Sequence, residues 1–192
     1  MCDYKHLIIN DILIPSVQKL FEVDYMNIKF GVSERNICAR LALHMENIMR
    51  EYDVVHDTCI FADYFADVEY NRMNNGDLKT FENNERKPQY MVSDLIVHNR
   101  TPSPNYLAVE MKRVGNRKNV HTDKERLMSI VSSDLYNASN ISVYNTLVGA
   151  YIEYSPKGVN VIIYEDCGGR GVETAAIVLR YDKYDGLLVS NV

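Results

Sequence analysis

Three residues in two neighbouring apolar segments have types and a spacing that suit metal-dependent hydrolysis of a phosphodiester. Asp94 begins a stretch rich in β-branched residues, and Glu110 and Lys112 end the next one, YLAVEMK. Side chains alternate along a strand, so Glu110 and Lys112 share one face while the apolar residues between them face the core. If the two strands pair as a hairpin, the start of the first lies near the end of the second. The sequence therefore predicts that all three side chains meet at one edge of a sheet.

The chemistry follows from the residue types. Two carboxylates within hydrogen-bond reach repel each other, and a hard divalent cation with a preference for oxygen ligands removes the repulsion. Mg²⁺, with Mn²⁺ as a substitute, polarises a phosphoryl oxygen and helps to ionise a water. An adjacent ammonium positions the water or offsets charge that develops in the transition state. We therefore predict Asp94 and Glu110 as metal ligands, and Asp94, Glu110 and Lys112 as catalytic residues.

The elements that must position these residues can be predicted from hydrophobic periodicity. Ser33 is a good N-cap for a helix that runs to about Arg50, with one apolar face. A second helix is predicted over 122–138, capped by Thr122 or Asp123, and residues 4–21 are predicted to form helical turns. Strands are predicted over 64–71, 91–98, 106–113, 144–154, 159–165 and 173–181, with a polar, mobile loop over 71–88. This order indicates an α/β or α+β fold with a mixed sheet flanked by helices.

Length and composition limit which classes of protein the chain can belong to. The chain has 192 residues with 46% hydrophobic and 24% charged, which predicts a single domain over 1–192. Its formal net charge of −5 implies that any surface for nucleic acid is local. The four cysteines have no zinc-ligand spacing, the N-terminus does not read as a signal peptide, and no apolar run is long enough to cross a bilayer. We therefore expect a cytoplasmic protein that makes no membrane contact.

The segment after the second strand is locally basic. Its cations are Lys112, Arg113, Arg117, Lys118, Lys124 and Arg126, against Asp123 and Glu125. In an acidic protein this is a plausible phosphate-contacting strip, and Arg113, Arg117, Lys118 and Lys124 are its candidate nucleic-acid contacts. The alternative is an ordinary solvated start of a helix.

Two segments, SDLIVHNR and NYLAVEMKR, resemble the paired motifs of the PD-(D/E)XK nuclease superfamily. More narrowly, they are similar to those of a group of small, mostly uncharacterised bacterial proteins. The resemblance extends to SERNICARLALHMENI, DVEYNR and TDKERL and spans roughly residues 33–154. Ser93 stands where the motif has proline, a residue that shapes the backbone rather than the chemistry. The resemblance implies a restriction-endonuclease-like core.

The resemblance also implies roles for further residues. Glu34 matches a glutamate near the metal, and we predict it as a third metal ligand; without the resemblance, a favourable interaction with its helix dipole would be preferred. Four residues of DVEYNR become candidates for the catalytic cleft, with a solvated sheet face as the alternative: Asp67, Glu69, Asn71 and Arg72. Lys87 falls where the family has a basic residue, and TDKERL matches its following helix through Asp123, Lys124 and Leu127.

Three functions compete for these residues. The first is Mg²⁺-dependent cleavage of nucleic acid, with DNA ahead of RNA. The second is an inactive module on the same fold that binds nucleic acid or protein, because a fold does not fix a function. The third, a sugar hydrolase with paired carboxylates, leaves Lys112 without a role and lacks the tryptophans that such a cleft favours. We predict nucleic acid as the partner, while the oligomeric state, a homodimer included, stays open.

Overall fold

A computed structural model describes residues 4–69, 80–82, 88–90, 93–99, 104–135, 145–184 and 186–189. The helices are α1 (Tyr4–Leu7), a π-helical stretch (Ile8–Leu13), α2 (Ile14–Phe30), α3 (Glu34–His56) and α4 (Val120–Val131). The strands are β1 (Tyr64–Val68), β2 (Thr80–Glu82), β3 (Pro88–Tyr90), β4 (Leu95–Asn99), β5 (Asn105–Arg113), β6 (Thr146–Ser155), β7 (Gly158–Cys167), β8 (Arg170–Asp182) and β9 (Gly186–Val189).

Seven of the strands form one mixed sheet in the order β1-β4-β5-β6-β7-β8-β9. Neighbouring strands are antiparallel, except that β5 and β6 are parallel with α4 as the connection between them. A parallel pair needs such a crossover, because the chain must return to the same end of the sheet. The protein is therefore a mixed α/β structure, as the sequence predicted.

Helices cover both faces of this sheet. The main core lies between the sheet and the N-terminal helices through α3, and it includes Leu107, Val109 and Met111 of β5. On the other face Leu127 and Ile130 of α4 pack in a second cluster, which includes Ala108. The alternation of β5 between two cores confirms the predicted period of two, and it puts Glu110 and Lys112 on the α4 face.

A buried carboxylate joins α2 to α3. Asp24 Oδ1 accepts hydrogen bonds from Arg40 Nε at 2.8 Å and Asn27 Nδ2 at 3.1 Å, and Oδ2 lies 2.7 Å from His44 Nε2. Asp24 stands at a kink in α2, with φ −110° and ψ 15°. Asp24, Arg40 and His44 are called the helix cluster below, and each carboxylate oxygen in it has a partner.

The helix boundaries confirm some predictions and correct others. Ser33 caps α3, because its side chain accepts a hydrogen bond from Asn36 N at 3.3 Å, but the helix continues to His56. The predicted cap of α4 by Thr122 or Asp123 is wrong. The helix begins at Val120 after Asn119, whose φ of 61° gives a left-handed cap without a side-chain hydrogen bond. The N-terminal helical segment extends to Phe30, beyond the predicted residue 21.

Two further predictions are corrected in the strands. The strand predicted over 64–71 ends at Val68, because Glu69 adopts a φ of 53° that no strand accommodates. The segment predicted as a loop over 71–88 contains β2, which pairs with β3 in a separate two-stranded sheet. Within the described part of the chain, no helix is long and apolar enough to cross a membrane.

Candidate active site

The ladder between β4 and β5 brings Asp94 to Glu110. Leu95 pairs with Val109, so the residue before Leu95 lies opposite the residue after Val109. Asp94 Oδ2 accepts a hydrogen bond from the backbone N–H of Met111 at 2.8 Å, which fixes the carboxylate at the end of β5. The predicted meeting of Asp94 with the end of the second strand is therefore present in the structure.

Glu110 is the most buried of the three predicted catalytic residues, with an exposed fraction of 1%. Its Oε1 lies 2.5 Å from Arg126 Nη1 in the second turn of α4. Burial raises the pKa of Glu110 well above its usual value; the Arg126 charge opposes this, and the neighbouring Asp94 and Asp123 charges reinforce it. Ionisation of Glu110 therefore depends on a cation beside it, which in this structure is the Arg126 guanidinium.

Lys112 lies two residues further along the same face of β5. Its Nζ is 3.3 Å from Asp123 Oδ2, and the side chain is only 14% exposed. Burial alone would lower the pKa of Lys112, but the charges of Asp123, Asp94 and Glu34 raise it above its usual value. Lys112 is therefore held as a cation beside the carboxylates.

Asp123 is the residue of this group to which sequence reasoning gave no chemical role. It lies in the first turn of α4, with an exposed fraction of 3%, and its Oδ1 is 3.5 Å from Arg126 Nη1. Its Oδ2 is buried and accepts no well-aligned hydrogen bond within the described residues, although Lys112 Nζ is near. The match of TDKERL to the family helix was the signal that could have identified it.

Asp94, Glu110, Lys112, Asp123 and Arg126 are called the sheet cluster below. Burial raises the pKa of Asp94; the hydrogen bond from Met111 and the Lys112 charge oppose this, and the Asp123 charge adds to it. Three carboxylates face two cations, so the fully ionised cluster keeps a net negative charge. A hard divalent cation suits such a set of oxygen donors.

Tyr151 adds a polar group that sequence analysis missed. It pairs with Glu110 across the parallel β5–β6 ladder and is 2% exposed. Its hydroxyl has no hydrogen-bond partner within the described residues. Burial, reinforced by the charges of Glu153, Asp123 and Glu34, raises its pKa to about 12, so the phenol stays protonated and can donate.

Glu34 stands close to the sheet cluster but is engaged elsewhere. Its Oε1 accepts hydrogen bonds from the backbone N–H of Arg113 at 2.9 Å and from Asn116 Nδ2 at 2.8 Å. These contacts hold the end of β5 against the start of α3. Its role as a metal ligand stays a prediction.

Of the predicted cleft residues, Asp67 and Glu69 lie within the described part of the chain, and their side chains make different contacts. Asp67 Oδ2 lies 2.9 Å from the buried His98 Nε2 in the neighbouring strand. Glu69 lies beyond the end of β1 and forms an ion pair with Arg35 at 3.0 Å, so it is not part of the strand predicted over 64–71. Asn71, Arg72 and Lys87 lie outside the described residues.

The basic strip also divides. Arg117 and Lys118 are exposed. The guanidinium of Arg113 packs against Gly31 at the left-handed end of α2, where a Cβ would collide with it. Lys124 Nζ lies 5.1 Å from the centre of the Tyr151 ring. Arg126, counted in the strip by sequence, is instead 15% exposed and bound to Glu110.

The described residues contain no group of three or more His, Cys, Asp or Glu side chains that could hold a metal ion in the present arrangement. The donors still fit a hard cation, because they are carboxylates and one buried oxygen, Asp123 Oδ2, accepts no well-aligned hydrogen bond and has only the Lys112 ammonium near it, at 3.3 Å. Arg126 contacts two of the three carboxylates and supplies part of the compensating charge. Comparisons of this chain with protein-family models, with curated proteins and with solved structures find no match.

Proposed function

We propose that the chain is a Mg²⁺-dependent nuclease that hydrolyses phosphodiester bonds, in DNA ahead of RNA, on a restriction-endonuclease-like core. The observation that carries the proposal is the convergence of Asp94, Glu110 and Lys112 at the end of β5, with Asp94 fixed by Met111 N. The mixed sheet with helices on both faces supports the fold part of the proposal.

The roles follow from the contacts. Asp94, Glu110 and Asp123 would hold the metal ion, which polarises a phosphoryl oxygen and helps to ionise a water when bound. Lys112 stays cationic and offsets negative charge on the phosphoryl group. Tyr151, whose backbone pairs with that of Glu110, brings a protonated phenol under the influence of the Asp123 charge, and its hydroxyl has no hydrogen-bond partner within the described residues. The exposed Arg117 and Lys118 supply phosphate contacts outside the cluster.

A second candidate function is a module on the same fold that binds nucleic acid without cutting it. The ion pair between Arg126 and Glu110 favours it, because a buried guanidinium can replace a metal ion permanently. In that case the cluster is a structural salt-bridge network, and no divalent ion is needed for charge balance. The two functions differ in whether the wild-type protein binds metal.

Metal-dependent thermal stabilisation and a cleavage assay separate the two. We expect Mg²⁺ or Mn²⁺ to raise the Tm of the wild type relative to EDTA, and Asp94→Asn to abolish the rise. Asp63→Asn, the same change at an exposed position, is the control and should keep the rise. Plasmid, linear and single-stranded DNA and RNA then report cleavage. DNA binding without cleavage or metal stabilisation would leave the second candidate.

A further inference from the structure

Arg126 connects α4 to the sheet through contacts with two buried carboxylates. Its guanidinium bridges the sheet and α4, with Nη1 2.5 Å from Glu110 Oε1 and 3.5 Å from Asp123 Oδ1. The side chain is 15% exposed, and the two carboxylates it contacts are 1% and 3% exposed. One guanidinium therefore joins two buried carboxylates that would otherwise repel each other.

The charges of the sheet cluster limit how many cations it can hold. Lys112 and Arg126 oppose three carboxylates. A divalent ion bound to the same carboxylates would lie directly beside these side-chain cations in a buried site, where like charges repel strongly. Metal binding is therefore favoured when the cation that shares its ligands moves away from the carboxylates.

The contacts select Arg126 as the group that moves. Lys112 contacts Asp123, with its Nζ 3.3 Å from Oδ2, whereas Arg126 contacts both Asp123 and Glu110. Arg126 contacts Glu110 directly, through one of the oxygens that a metal ion would need, and reaches it by a long side chain from α4. The guanidinium can withdraw by rotation of that side chain, without movement of the sheet.

We propose that Arg126 competes with the metal ion for Glu110 and Asp123, so that this ion pair sets the metal affinity of the site. The inference rests on the proposed function, because it concerns the same carboxylates. In this arrangement Arg126 stabilises the metal-free protein and weakens its affinity for metal. A structural salt bridge that does not face the metal would have the first effect without the second.

Calorimetric titration of Mg²⁺ into the metal-free protein tests the competition between Arg126 and the metal ion. The titration is done at pH 8.5, because fewer protons then compete with Mg²⁺ for the carboxylates. Arg126→Gln should tighten Mg²⁺ binding at least about tenfold, since it removes a positive charge in contact with the ligands. Arg117→Gln, which removes the same charge from an exposed position, should change the affinity less than about twofold. In EDTA, Arg126→Gln should have a lower Tm than the wild type and a larger rise with Mg²⁺.

If Arg126→Gln does not fold, Arg126→Lys takes its place in the Mg²⁺ titration. A lysine keeps the charge but cannot span both carboxylates, so binding should tighten a few-fold. Binding of Mg²⁺ by the wild type with unchanged or weaker binding by both variants overturns this inference and leaves the proposed function intact. Binding by a variant but not by the wild type supports the competition and identifies Arg126 as a permanent block. No binding by any of the three proteins overturns both.

Discussion

The helix cluster and the sheet cluster place the same kinds of charge on opposite sides of the sheet, with opposite results. In the helix cluster one carboxylate meets Arg40, His44 and Asn27, and these partners outweigh burial, so the pKa of Asp24 is lowered. In the sheet cluster three carboxylates share two cations, and burial raises the pKa of Asp94 and Glu110. A buried carboxylate with a partner for each oxygen is typical of a structural contact between helices. Buried carboxylates that outnumber their cations are typical of a binding or catalytic site.

Substitutions in the sheet cluster should have their largest effect on cleavage, and this effect would distinguish the sheet cluster from the helix cluster. Lys112→Ala removes charge stabilisation but no oxygen ligand, so cleavage should fall by about 10²–10³-fold while metal binding survives. Asp94→Ala should lose both, because it deletes a carboxylate donor to a hard cation. Single-turnover cleavage and Mg²⁺ titration measure the two effects. Activity that survives both changes would mean that the sheet cluster is not the active site.

A smaller effect concerns stability without metal. Asp24→Asn should lower the free energy of unfolding by about 2 kcal/mol, because it leaves Arg40 and His44 without their anion. This value is below that of a fully buried pair, because water screens the partly exposed Arg40. Asp94→Asn should leave that free energy unchanged or raise it, since the amide keeps an acceptor for Met111 N and removes repulsion. Urea unfolding in EDTA measures both. Equal losses would show that the clusters do not differ in kind.

The smallest effect is a difference in pH dependence. The pKa of Glu110 is raised, so the native metal-free protein holds that proton more tightly than the unfolded chain. Its stability should therefore fall as pH rises from about 4 through the raised pKa, and Glu110→Gln should remove that fall. The pKa of Asp24 is lowered, so its contribution is present above the ordinary carboxyl pKa and is lost as pH falls through the lowered value.

Urea titrations in EDTA between pH 3 and pH 8 compare these slopes, with Asp24→Asn as the second variant. Subtracting the variant from the wild type should give slopes of opposite sign for the two residues. Slopes of the same sign would contradict the contrast between the clusters. Because Mg²⁺ binds the ionised carboxylates, it should reduce the fall seen with the wild type.

The part of the site that lies within single strands could be predicted from sequence. Strand alternation gave the shared face of Glu110 and Lys112, and the hairpin between β4 and β5 brought Asp94 to them. Asp123 and Arg126 could not be placed in this way, because their contacts depend on how the crossover sets α4 on the sheet. Tyr151 depends on a parallel pairing across many residues, for which period-two patterns carry no information.

The helix ends show a second limit of sequence reasoning. Ser33 follows the usual capping chemistry and was predicted correctly. Asn119 caps α4 through a left-handed backbone instead, so a search for an accepting side chain placed the start too late, at Thr122 or Asp123. Glu69 likewise ended β1 through its backbone, which the alternating pattern of DVEYNR does not reveal.

The whole sheet cluster comes from one continuous stretch, residues 94–126, which runs through β4, β5 and α4. Two strands and the helix after them therefore carry the candidate chemistry, while β7, β8 and β9 complete the other side of the sheet. In so short a stretch, a change in one charge can be offset by a change in another that lies nearby along the chain. Because α4 also packs on β6, β7 and β8, through Tyr151, Ile162 and Tyr164 and at Gly171, changes in those strands would shift Asp123 and Arg126 relative to β5.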